Sequence, residues 1–228
     1  MSLICVGSVG GIGVVPRRFN NDLLILLAGE NERTRPRSEH ATFLYKYGFF
    51  ENVLISGSLG GFSEEKLDET EGPHTRIANY LNMRGIPAGH IFIDYRPVDT
   101  LGNFVFPYYE PLEGNPNPNE LKTKVLTEKG HAKRVMQCAS KVIPKDCDHR
   151  FTFSDGEYNP RITTIDGLAT YLWHRGLMRV TKDIDANPEQ AYNFLMRKHP
   201  FYQEGWFDKP VEERRKKVLE KTLEWNLK

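Results

Sequence analysis

Two hydrophobic patterns alternate along the first 158 residues: short continuous apolar runs and apolar stripes of helical period. Residues 22–28, DLLILLA, are almost wholly apolar and stop at Gly29, the pattern of a parallel strand covered on both faces. The polar stretch GENERTRPRS reads as a loop. Ala41, Leu44, Tyr45 and Tyr47 then predict a helix that Gly48 ends. Val53, Leu54 and Ile55 predict a second strand, followed by Ser56-Gly57-Ser58 and a Gly- and acid-rich loop over 59–70. Ile77, Ala78 and Leu81 predict a helix from Glu71 to Gly85, and Ile91, Phe92 and Ile93 a third strand. Asp99 opens a segment that Pro107 limits or kinks, and 113–120 read as a surface loop. Residues 124–127 predict a fourth strand. After it Ala132, Val135, Met136, Ala139, Val142 and Ile143 form the buried stripe of a helix, and 150–153 predict a fifth strand. Strands alternating with helices at this spacing imply a three-layer Rossmann-like α/β domain with a mainly parallel five-stranded sheet and right-handed crossovers.

From residue 159 to 228 the strand pattern is gone, and an all-helical C-terminal extension packed on the first domain is expected. Ile165, Leu168, Ala169, Leu172 and Trp173 keep helical spacing. Asn187-Pro188-Glu189-Gln190 combines a capping residue with Pro at the first helical position and Gln at the third. A last helix after Pro210 carries Val211, Val218, Leu219 and Leu223 on one side, with 214–217 as its solvated face. Between the last two helices lies HPFYQEGWFDKP. Its aromatics are read as packing against the sheet edge, with a lid or an oligomer-forming partner surface as alternatives.

Charge narrows the partners. With 31 basic and 30 acidic residues the chain has no global field for nucleic acid or an anionic membrane. Cys5, Cys138 and Cys147 have no metal-ligand spacing and form no even disulfide framework, so no metal is expected and a reducing compartment fits. Residues 3–15 have the length of a signal-peptide apolar region but lack its basic start and small-residue cleavage site. They are read as a structural lead-in, and the chain as cytoplasmic.

In parallel α/β sheets ligands bind beyond the carboxyl ends of the strands. Polar residues follow each clear strand there. Gly29 and Gly57 allow close backbone approach. Ser56, Ser58, Thr100 and Thr127 supply hydroxyls, and Asn103 a bidentate amide. Arg37 and Arg134 suit a carboxylate or phosphate, with Glu30, Arg33 and Gly130 in the same loops. His131, at the start of a helix whose free N–H groups favour an anion, is the candidate proton shuttle. Glu71 is its candidate partner or a base itself. Plainer roles stand beside these: His131 as a cap, Arg37 paired with Glu39 or Glu71, Ser and Thr as helix caps, Thr100 and Asn103 as loop fasteners.

Four blocks of these residues, in order over 22–143, resemble the family of unknown function typified by the bacterial proteins YdcF, SanA and ElyC. The first is the strand ending at Gly29 with Arg37, Ala41, Leu44 and Tyr45. The second is Ile55-Ser56-Gly57-Ser58 with Thr70-Glu71-Gly72. Gly85-Ile86-Pro87 with Thr100-Leu101-Gly102-Asn103 make the third, and Leu126-Thr127 with His131 and Arg134 the fourth. The chain departs from that pattern at Ser58, Gly72, Pro97 and Glu128, and in its long C-terminal addition. The resemblance implies a Rossmann-like domain with one polar cleft, and S-adenosylmethionine as a ligand associated with that family.

The expected function is an enzyme acting on a small anionic or nucleotide-like metabolite, with His131 as acid or base. Hydrolysis or group transfer is favoured over redox chemistry because no dinucleotide fingerprint is present. The alternative is a non-catalytic binding or sensing module using the same cleft.

Overall fold

The computed structural model describes residues 22–28, 31–57, 72–154 and 165–227. Its centre is β1 (Asp22–Leu27), whose six residues are all buried. Leu23, Ile25 and Leu27 enter one hydrophobic layer and Leu24 and Leu26 the other, the two-sided burial that a continuous apolar strand requires. Around it lie β2 (Asn52–Ser56), β3 (Ile91–Asp94), β4 (Lys122–Glu128) and β5 (His149–Ser154). The order is β3-β2-β1-β4-β5, and every neighbouring pair is parallel. Strand order reverses beside β1, so the switch point lies between the carboxyl ends of β1 and β4.

The seven α-helices among the described residues cover the two faces unequally. On one face α1 (Asn31–Lys46) and α2 (Pro73–Met83) bring Ala41, Leu44, Ile77 and Leu81 against Leu24 and Leu26. On the other, α3 (Gly102–Tyr109) and α4 (Ala132–Val142) bring Phe104, Val105, Val135 and Val142 against Leu23 and Ile25. The same layer takes in Leu177, Ala191, Leu195 and Trp225 from α5 (Ile165–Val180), α6 (Pro188–Lys198) and α7 (Val211–Leu227). The C-terminal helices therefore continue the core of the sheet. The start of α6 is as its sequence predicts: Asn187 Oδ1 accepts from the Gln190 N–H at 2.9 Å, and Pro188 opens the helix.

Several expectations need correction. The first helix starts at Asn31, inside the stretch read as a loop, and runs through Pro36. Polar residues at a helix start do not by themselves make a loop, because the first turn has no buried face to fill. Pro107 lies inside α3, which continues to Tyr109. On α4 the buried stripe contains Cys138 with Val135, Ala139 and Val142, while Met136 is exposed. The largest change is on α7. Leu219 and Leu223 are 59% and 55% exposed, and the inward side is Arg214, Val218, Thr222 and Trp225. A large indole and an arginine lying over the Phe207 ring, 5.7 Å from its centroid, set the rotation of the helix, and Arg214 is not part of a solvated face. Phe201 and Trp206 of the aromatic segment are buried beside Val98 and Val218, over the turn that follows β3.

Candidate functional site

Gly29, Glu30, Ser58 and Glu71 lie outside the described residues, as do 3–15 and 59–70, and the Arg33 side chain is also outside them. The others come together at the strand ends nearest the switch point. Leu126 and Thr127 end the apolar part of β4, so the chain leaves the sheet with Glu128 already buried. A single 3-10 turn, Lys129–His131, holding Gly130, then swings His131 back over the strand before α4 begins. The N-cap residue of α4 is His131, whose side chain makes no cap hydrogen bond among the described residues.

His131 is buried, with four polar neighbours among the described residues. The Arg134 Nε–H donates to its Nε2 at 2.6 Å. Thr100 Oγ1 lies 3.4 Å from the same nitrogen. Thr127 Oγ1 is 3.4 Å from Nδ1, and Glu128 Oε2 is 3.9 Å from Nδ1. Because Arg134 has only protons to offer, Nε2 carries the lone pair, and the proton of the neutral ring sits on Nδ1 facing Thr127 and Glu128. A carboxylate behind one nitrogen and a cation beside the other is an arrangement that orients a proton-transfer imidazole.

Glu128 is the residue that sequence reasoning missed. It was visible only as a departure from a motif, yet it follows Thr127 directly and lies three residues before His131. Its Oε2 accepts from Arg37 Nη2, and Arg37 Nη1 donates to the Leu27 carbonyl, so Arg37 ties the end of β1 to the end of β4. Both side chains are only 1% exposed. Arg37 is therefore paired with Glu128, 91 residues away, while Glu39 takes Arg35 at 2.9 Å.

The turn after β3 closes the other side. The Ser56 hydroxyl donates to the Asn103 carbonyl at 3.0 Å. Gly57 sits at φ +117°, and a Cβ there would lie 2.9 Å from Asn103 Oδ1, so only glycine fits this approach. The Ser56 contact is with the Asn103 backbone, and Thr100 reaches His131. Three buried polar atoms at these strand ends, Asn103 Oδ1, Glu128 Oε1 and Ser154 Oγ, have no hydrogen-bond partner among the described residues.

Three further groups stand close by. Asp94, buried at the end of β3, takes Arg96 in bidentate fashion at 2.9 and 2.8 Å. Asp99 Oδ1 accepts from the Gly102 N–H and the Tyr202 hydroxyl, both at 2.8 Å, and His199 Nε2 lies 3.1 Å from Oδ2. Burial alone would raise the Asp99 pKa, but His199 and these donors outweigh it and hold it below the usual carboxylate value. On α5, His174 Nε2 is 2.9 Å from Gln137 Oε1, and burial with the nearby Arg134 and Lys133 charges pushes its pKa down to about 4. Burial raises the Cys138 thiol well above its ordinary value, leaving no thiolate.

Among the described residues no group of His, Cys, Asp and Glu is placed to hold a metal ion, and no helix is long and apolar enough to cross a membrane. A separate open cavity of about 1130 Å³ lies between α5, α6 and α7, where Trp225 and Phe194 face Arg197 and Lys217; none of the strand-end residues lines it. No protein-family model and no curated protein matches the chain.

Proposed function

We propose that the strand-end cluster binds a small anionic or nucleotide-like metabolite and that His131 serves there as acid or base. The supporting observation is the fixed imidazole: Glu128 and Thr127 on the Nδ1 side, Arg134 and Thr100 on the Nε2 side. A ligand carboxylate or phosphate draws the Arg134 guanidinium, with help from the N–H groups at the start of α4. As Arg134 turns to the anion, the Nε2 lone pair is released to take a proton from the ligand, and the imidazolium that forms is held by Glu128. Hydrolysis or group transfer is the class this serves.

Within this proposal the chain is a divergent member of the YdcF-like family, on the strength of the motifs in 22–143. S-adenosylmethionine, the ligand that resemblance implies, offers ribose hydroxyls, an amine and a carboxylate. Asn103 Oδ1 and Glu128 Oε1 are unfilled acceptors for such donors among the described residues, and Arg134 suits the carboxylate, so the residues fit. Bound there, it would supply an activated methyl group.

A second reading, a binding or sensing module, draws on one observation. Both ring nitrogens of His131 already face groups of the chain itself. Thermal-shift screening with nucleotides, adenosyl compounds and phosphosugars, followed by product analysis, separates the two. The enzyme reading expects a stabilising compound that is consumed, turnover lost in His131→Ala with the fold intact, and weaker binding in Arg134→Ala. Binding without consumption favours the sensor; turnover that survives His131→Ala overturns the role given to this residue.

A further inference from the structure

Tyr202, in the C-terminal extension, reaches the turn between β3 and α3 from outside the sheet. Its hydroxyl donates to Asp99 Oδ1 at 2.8 Å and accepts from the Val98 N–H at 3.1 Å. Asp99 Oδ1 also accepts from the Gly102 N–H, and the Asp99 carbonyl accepts from the Asn103 N–H at 3.1 Å. One phenol thus pins both backbone and side chain of the turn. Gly102 leaves the room: a Cβ at that position would overlap the Tyr202 hydroxyl. His199 stands at the other carboxylate oxygen, and its ring packs edge-on to Trp173 and Phe201 with centroids 5.3 and 5.0 Å away. The neighbouring residue in the turn is Thr100, whose hydroxyl faces His131 Nε2.

We infer that Tyr202 is a positioning residue of the strand-end site, which through Asp99 fixes the turn that holds Thr100 against His131. The inference rests on His131 being the working group of that site. Among the described residues the Tyr202 hydroxyl bonds to Val98 and Asp99, so it acts through the turn. A hydrogen bond to a carboxylate is stronger than one between neutral groups, and here two neutral donors and an imidazole converge on one buried carboxylate. The turn is accordingly over-determined at Asp99 and only lightly held at Thr100, so loosening it is felt first at His131.

The test reads His131 itself in the full chain, by nitrogen-15 NMR of the imidazole across pH, with no ligand needed. Thr100→Ala and Tyr202→Phe are each expected to move its titration midpoint by about 0.3 pH unit or more, roughly a twofold change in protonation constant. In the Thr100→Ala background, Tyr202→Phe is expected to move it no further, because the route runs through Thr100. A Tyr202→Phe chain that is less stable but leaves the His131 curve in place overturns the inference, as does an equal displacement in both backgrounds. Should Tyr202→Phe not fold, Asp99→Asn takes its place in the same two backgrounds: a displacement that Thr100→Ala abolishes supports the inference, and an unmoved or equally displaced curve overturns it. Failure here leaves the ligand screen untouched, and failure of the ligand screen leaves this measurement untouched.

Discussion

Glu128 and Asp99 are carboxylates on opposite sides of the Thr100–His131 contact, and the chain completes them differently. Asp99 has two donors on one oxygen, Gly102 and Tyr202, and the His199 ring 3.1 Å from the other. Glu128 gives one oxygen to Arg37 and leaves Oε1 without a partner among the described residues. The first pattern fixes a turn; the second keeps an acceptor in reserve beside an imidazole. Burial alone does not separate these cases, since both groups are largely removed from solvent. Occupancy of the oxygens does.

The comparison is most exposed to Glu128→Ala. Removing it deletes the carboxylate of a buried ion pair, and the expected loss is about 3–5 kcal/mol of unfolding free energy by urea titration. Adding Arg37→Met should recover more than half of it. A double variant as unstable as Glu128→Ala would mean that the pair is not the relevant unit. Next comes Asp99. Its folded pKa is depressed from the ordinary 3.8, so its contribution is complete above that value and is lost as pH falls through the folded value. Stability measured into the acid range should fall more steeply in the native chain than in Asp99→Asn; parallel curves would place Asp99 beside Glu128 as an unfilled group. The smallest effect is expected at His174. Its pKa falls from 6.5 unfolded to about 4 folded, so the unfolded chain binds more protons between these values and stability rises with pH across that window. His174→Gln should flatten the rise, and an unchanged slope would show that the imidazole is as well solvated folded as unfolded.

The sheet was legible because its signal is local. Residues 22–27 are apolar without a break, and such a strand has to be covered on both sides. The same rule points to the strand ends, which bring Arg37, Ser56, Gly57, Thr100, Asn103, Thr127, His131 and Arg134 together. What escaped were long-range choices. The Arg37–Glu128 bond spans 91 residues and the Tyr202–Asp99 bond 103, and no periodicity encodes either. The rotation of α7 escaped for a related reason. A count of aliphatic residues favours Leu219 and Leu223, whereas the space beneath the helix is shaped for Trp225 and for Arg214 beside Phe207.

The span of the Tyr202–Asp99 bond also sets an order in time. A ribosome delivers β1 to β4, His131 and Arg134 well before Tyr202 emerges. Through that interval the nascent chain carries the imidazole and its arginine neighbour but not the phenol hydrogen-bonded to the turn facing them. The strand-end site is among the last parts of the molecule to be finished, although most of its residues are made early.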